Sequence, residues 1–283
     1  MDIGIGLPST IPGADRDQNL AWARRADERG FSTLGVIDRI VYANLEPLIA
    51  LAAAAGVTER IRLTSSIVIG PYRNTALLAK QAASLDVLSG GRLTVGIAPG
   101  GRPDDFEAAG VDFRARGRLF DDQLAELKRI WSGDEIGPAA EREGGPELIV
   151  GGYVDAAFRR TTRYGDGWIA GGRPPDDVAR GGEAVRQAWE AAGRAGKPRL
   201  LGLAYFALGP GGGGRLPEAL LRLAGRHGRG DRGQRRHRPR DREAVRGRLR
   251  RRRAGRAHPL PLLARARPGR SPGGRGALAS AGL

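Results

Sequence analysis

Two glycine pairs set twenty positions apart make the clearest chemical suggestion in this 283-residue sequence. Gly151 and Gly152 stand in VGGYVDAAFRR (150–160), and Gly171 and Gly172 stand in AGGR (170–173), which ends in Arg173. Each pair lies where an apolar run gives way to a helical pattern, so bare backbone N–H groups can face an anion at a helix N-terminus. Arg173 adds a planar fork suited to phosphate oxygens. Two ordinary βα turns are the competing reading, and the repetition of the design favours a phosphate site. A third Gly-rich stretch, VGIAPGGRPDD (95–105), reads equally well as a tight turn or as a ligand contact. Asp38 closes an apolar run, a place where barrel enzymes keep functional groups. An Asp38–Arg39 pair or a helix cap would explain that residue as well. Tyr72, Arg73 and Asn74 form either a polar loop or a substrate contact. Trp22, Trp131, Trp168 and Trp189 are scattered over different elements and read as packing residues.

Other chemistries are excluded by composition. There is no Cys, which removes thiolate catalysis, disulfides and Cys-ligated zinc. The three histidines (His227, His237, His258) all fall beyond residue 211, so residues 1–211 hold no imidazole base and no metal site is expected. The chain opens on MDIGIGLPS without a leader pattern, and no apolar run nears the ~20 residues of a membrane span. A cytoplasmic protein is expected.

These residues need a scaffold, and the pattern supplies one. Short runs rich in Ile, Val and Leu recur at 2–7, 33–38, 61–70, 92–98, 147–150, 167–170 and 199–208, most of them apolar throughout, as strands covered on both faces are. Helical stretches lie between them. DQNLAWARRADERG ends at Gly30, LLAKQAASLDVLSGG ends in a double glycine, and DDQLAELKRIW puts Leu124, Leu127, Ile130 and Trp131 on one face. In the last of these, Asp121 and Asp122 suit a helix N-terminus. Seven strands in βα alternation predict a parallel sheet, either doubly wound or closed into a barrel. LPSTIPG after the first strand is not a G-x-G-x-x-G loop, which disfavours the dinucleotide version of the open sheet.

The body resembles the bacterial-luciferase-like superfamily, whose members are flavin- and coenzyme F420-dependent oxidoreductases and monooxygenases on a TIM (β/α)8 barrel. The resemblance covers about residues 1–210. It rests on RLTSSIVIGPYRNTALLAKQAASLDVLSGGRLTVGIAPGG (62–101), EAAGVDFRARGRLFDDQLAELKRIW (107–131) and VGGYVDAAFRRTTRYGDGWIAGG (150–172). It implies FMN or F420 as cofactor, a small organic substrate, O2 where the chemistry is oxygenation, and room for a homodimer. It also implies a bulge in the third strand with a non-prolyl cis peptide at Ser66–Ile67, supporting the back of the isoalloxazine ring. Asp38 would stand near the reactive face of the ring, and Gly151, Gly152, Gly171 and Gly172 around the cofactor phosphate. Gly101 stands where some deazaflavin-dependent members carry a catalytic Glu, and Arg39 replaces a common His. The resemblance therefore names no catalytic residue beyond the candidate Asp38.

The basic charge sits elsewhere. Residues 212–283 carry 21 Arg, no Lys and 4 acidic residues, which leaves 26 basic and 27 acidic residues for 1–211. This tail is mostly Arg, Gly, Ala, Pro and Leu, the residues of GC-rich codons, and offers nothing suited to the helices and eighth strand that a complete barrel needs. Shifted by one base, the codons of residues 256–264 are compatible with Glu-Leu-Ile-Leu-Phe-Pro-Cys-Ser-Pro, a good buried strand. Two domains are thus expected: a barrel body (1–211), and a disordered tail (212–283) that reads as out of frame and would leave the barrel incomplete and the chain inactive as written. The alternative is a non-enzymatic protein binding nucleic acid through a basic arm by phosphate neutralisation.

Overall fold

A computed structural model describes residues 2–205, apart from residues 12 and 134. Seven strands are present among them: β1 (Gly4–Gly6), β2 (Thr33–Val36), β3 (Arg62–Ile69), β4 (Leu93–Ala98), β5 (Glu147–Gly151), β6 (Gly167–Ala170) and β7 (Arg199–Gly202). All pair in parallel, and their order in the sheet is their order in the sequence. A doubly wound sheet reverses strand order at a switch point. No reversal occurs here, and the sheet curls into part of a (β/α) barrel.

The helices begin and end where side-chain chemistry dictates. Asp15 caps α1 (Arg16–Glu28) by accepting from Gln18 N at 2.9 Å, and Gly30 follows with φ of 76°. Glu46 caps α2 (Pro47–Ala55) through Ile49 N at 2.8 Å, with Pro47 pre-set for the first turn. Asn74 caps α3 (Thr75–Leu88), which stops at Gly90 and Gly91, both at positive φ. Next come α4 (Pro103–Ala109), α5 (Arg116–Trp131), α6 (Asp155–Tyr164) and α7 (Pro175–Ala191).

Every residue of β4 is buried, and Leu124, Leu127 and Ile130 of α5 pack into the same core. Burying such side chains contributes ~1.5–3 kcal/mol each. Inside the curl, Arg62 of β3 (3.1 Å) and Thr94 of β4 (2.6 Å) meet Glu147 Oε2 of β5, and Arg199 of β7 joins the same oxygen.

Two expectations need correction. Asp121 and Asp122 lie in the second turn of α5, because the helix starts at Arg116; Asp121 pairs with Arg160 of α6 at 2.7 Å rather than facing the helix N-terminus. The last strand ends at Gly202, short of the expected 208. The expectations for the tail, including disorder, an out-of-frame origin and a missing eighth strand, lie outside the described residues.

Candidate functional site

The strand C-termini converge on one rim, where the βα loops carry the polar groups. Asp38, at the end of β2, is buried, and its Oδ2 accepts from Ile69 N (2.9 Å), Arg73 Nη2 (2.9 Å) and Tyr72 Oη (3.3 Å). The other end of the Arg73 guanidinium reaches Glu46 Oε1 at 2.8 Å, so the carboxylate that caps α2 also braces the loop after β3. Burial pushes the Asp38 carboxyl above its usual range, against the pull of Arg73 and the Ile69 amide. Burial, and then the neighbouring Asp38 charge, push the Tyr72 phenol upward, so it stays protonated and donates. Asp38 does not pair with Arg39. Arg39 turns instead to α4, where Nε meets Asp105 at 2.6 Å and Nη2 meets Asp104 at 2.8 Å. These ties span 35 and 66 residues of sequence, so no local pattern announces them.

Below this network the register of β3 against β4 shifts between Ser65 and Val68. The Ser66–Ile67 peptide there is cis. The bulge fits because two facing positions, Gly96 and Gly35, have no side chain, and a third glycine, Gly151, lies in ordinary contact range. A Cβ on Gly96 would lie 2.0 Å from Ser65 O, one on Gly35 would lie 3.2 Å from Ser66 Oγ, and one on Gly151 would lie 3.6 Å from Ile67 Cδ1. Ser66 therefore leans toward β2 and Ile67 toward β4 and β5, over a floor of glycine backbone. Ser65 Oγ donates to Gly96 O at 2.9 Å and pins the bulge. These glycines make room for the bulge itself, since Ser65 O, Ser66 Oγ and Ile67 already occupy the places that side chains would take.

The two glycine pairs do come together, through a residue that the sequence reading passed over. The Tyr153 hydroxyl donates to Gly171 O at 3.0 Å, joining the loop after β5 to the loop after β6. Its ring stands edge-on to Trp168 at 5.3 Å, and the Arg173 guanidinium carbon lies 5.1 Å from its centroid. Gly152 has φ of 134° and its carbonyl accepts from Trp168 Nε1 at 2.6 Å. Gly172 sits under Tyr205, whose ring would be 3.1 Å from an added Cβ. The N-cap residues of α6 and α7, Val154 and Pro174, give no side-chain cap; Ala157 N and Asp177 N bond the cap carbonyls at 2.7 and 3.0 Å, and Pro175 has no N–H, so an anion would have to use the Asp155, Ala156 and Asp176 amides. Asp155, Asp176 and Asp177 already favour those dipoles and temper their pull on an anion. Besides Tyr153, sequence reasoning missed Glu46, Asp104 and Asp105. The Arg102–Pro103 step was the available signal for the last two, since Pro at a first helical position places the next residues in a first turn.

Comparison with known proteins supplies the context. A family model described as luciferase-like monooxygenase matches residues 1–263. An uncharacterized protein of Mycobacterium tuberculosis is 30% identical over 206 residues, covering 61% of this chain and 71% of its own. Among solved structures, the oxygenating constituent of 3,6-diketocamphane monooxygenase from Pseudomonas putida, in complex with FMN, aligns with a TM-score of 0.61 at 20% identity, over 74% of this chain and 68% of that one. The coenzyme F420-dependent tetrahydromethanopterin reductase of Methanopyrus kandleri gives 0.60 at 19% identity, over 73% and 66%.

Proposed function

The chain belongs to the luciferase-like monooxygenase family, and on that premise we propose that it is a cytoplasmic oxidoreductase that uses FMN or coenzyme F420 to reduce or oxygenate a small organic substrate. The cofactor supplies the hydride or oxygen chemistry when bound. The carrying observation is the Ser66–Ile67 bulge of β3, for which Gly35 and Gly96 leave room, together with the glycine-bearing loops after β5 and β6 that Tyr153 ties to each other. Ser66 and Ile67 would support the back of the ring. Gly151, Gly152, Gly171, Gly172 and Arg173 would take the phosphate, with Tyr153 holding the two loops together. Asp38 acts by positioning: it fixes Tyr72 and Arg73 at the rim, and its own carboxylate is committed to them and to the Ile69 amide.

Residues 1–211 carry this activity in the proposal, and 212–283 are an out-of-frame reading that leaves the chain poorly active. The composition of the tail supports that view, while the family match runs on to residue 263 and sets the stretch over which the gene must be checked. The test is titration of the protein as written, and of a frame-restored version, with FMN and with F420, read by quenching of cofactor fluorescence. Tight binding by the restored protein alone is expected. Equal, tight binding by both would overturn the frameshift, and binding by neither would overturn the cofactor assignment.

The density of arginine in the tail favours one second reading, polyanion binding through a basic arm. Nucleic-acid affinity that collapses between low and physiological salt would mark it as non-specific phosphate neutralisation.

A further inference from the structure

The chain has three lysines, and they are not alike. Lys80 is exposed, and its ammonium donates to Gly137 O at 2.8 Å. Lys197 is exposed as well. Lys128, in the last turn of α5, is half-buried, and its ammonium has no hydrogen bond or ion pair among the described residues. The charges acting on it are mostly positive. Arg142 comes from the segment before β5 and Arg194 from the segment before β7, while Asp166 stands just before β6. These are strand N-terminal ends, so the cluster lies on the face of the barrel opposite the rim.

The one carboxylate of the cluster is already engaged. Asp166 Oδ2 accepts from Arg142 Nη2 at 2.8 Å and from Leu148 N at 2.9 Å. Arg194 is fixed by the carbonyls of Thr162 (2.8 Å) and Gly165 (3.0 Å), which carry no charge to offset its own. Arg129, next to Lys128 in α5, is taken up by Glu126 and Glu135. The Trp131 ring, 5.9 Å from Lys128 Nζ, stands at the limit of a cation–π contact. Three cations (Lys128, Arg142 and Arg194) against Asp166 leave the cluster with a net charge of +2. Burial, and then Arg142 and Arg194 against the pull of Asp166, push the Lys128 amine below its ordinary range. A lysine amine that is desolvated and set beside other cations is an activated nucleophile, because more of it is the neutral base at neutral pH.

We propose that Lys128 is a carboxylation site, where CO2 adds to the amine and Arg142 and Arg194 hold the carbamate that forms. The Nζ lone pair bonds to the carbon of CO2, one C=O electron pair moves onto oxygen, and one amine proton leaves to solvent. Lys–NH2 and CO2 thus give Lys–NH–COO− and H+, with no leaving group and no redox partner. The step replaces a positive charge with a negative one, so the cluster passes from +2 to neutrality. CO2 is small enough to reach a half-buried amine. Unlike an acyl group, it leaves an anion, which two guanidinium groups are suited to hold. The site is independent of the cofactor reading.

Chemical trapping tests the inference. The full-length protein is equilibrated with carbon-13-labelled bicarbonate at neutral pH, alkylated with triethyloxonium to fix any carbamate as its ester, digested, and read by peptide mass spectrometry. Lys128 should carry about ten times the label of Lys80 or Lys197, or more, the factor that one hydrogen bond to a charged group supplies. Arg142→Gln should cut the Lys128 label about tenfold and leave the other two lysines unchanged. Unfolding in guanidinium chloride should level all three, because only the fold assembles the cluster. At constant pH, added CO2 should raise the melting temperature of the wild type and not that of Lys128→Arg, which keeps the charge and loses the nucleophile. Equal labelling of the three lysines in the folded protein would overturn the proposal, as would no label on Lys128. A preference that survives unfolding, or one indifferent to Arg142→Gln, would overturn it too, by showing that the cluster is not its cause.

Discussion

The loops after β2, β3 and β4 are tied by ion pairs between side chains far apart in sequence, whereas the loops after β5 and β6 are held by backbone carbonyls and aromatic rings. In the first half, Arg39 and Arg73 each bridge two carboxylates. In the second, Tyr153 and Trp168 donate to the carbonyls of Gly171 and Gly152. Partly buried charge is costly to disturb and leaves the rim with a fixed electrostatic character. Carbonyl acceptors use no charged side chain, so these ties in the second half carry no charge.

Removing charge from the first half should have the largest effect. Arg73→Met leaves the buried Asp38 carboxylate without its cation, and urea unfolding should show a loss of about 3–5 kcal/mol. A loss below ~1 kcal/mol would show that Asp38 is solvated, and the contrast between the halves would fail. In the second half, Gly152→Ala forces a side chain onto a φ of 134° and within 2.8 Å of Ala157 Cβ, for an expected cost of about 1–3 kcal/mol by the same assay.

The halves join at Asp121 and Arg160, between α5 and α6, and a smaller effect is expected there. The Arg160 hydrogen bond holds the Asp121 carboxyl below its ordinary value of 3.8. A lowered carboxyl contributes stability that is present above the unfolded value and is lost as pH falls through the folded one. The melting-temperature difference between wild type and Asp121→Asn should therefore be positive at neutral pH and shrink as pH drops below ~4. A difference that is constant with pH would show that the pair contributes nothing electrostatic. Smallest of all, Gly171→Ala meets nothing within 4 Å and should change stability by less than ~0.5 kcal/mol. Weaker FMN binding by the same variant made in the frame-restored protein would then report on the phosphate loop itself.

The strands were legible because their Ile, Val and Leu runs stop at Gly or Pro, and two helix C-termini because Gly30 and Gly90 stop them; the N-caps Asp15 and Asn74 were not read as caps. The choice between an open sheet and a barrel was not legible in periodicity, since both give buried parallel strands; strand order decided it. At the rim, the glycine pairs could be read from spacing and the Ser66–Ile67 bulge from family resemblance. The partner of Asp38 could not be read at all. Arg73 and Arg39 both lay in view, and only the tertiary fold determines that Arg73 turns to Asp38 while Arg39 turns to Asp105. Asp121 misled for a related reason. Its position suited a helix start, but Arg116 and the residues after it extend α5 backwards by more than a turn.

The sequential order of the sheet bears on synthesis. Each strand from β2 to β7 pairs with the strand made just before it. Contacts that form between successive elements can assemble as the chain leaves the ribosome, without waiting for distant segments. The ion pairs of the rim close in the same order: Asp38 waits only for Arg73, and Arg39 only for Asp104 and Asp105. The rim pairs of the first half, whose last member is Asp105, can therefore close while the codons for β7 are still being read.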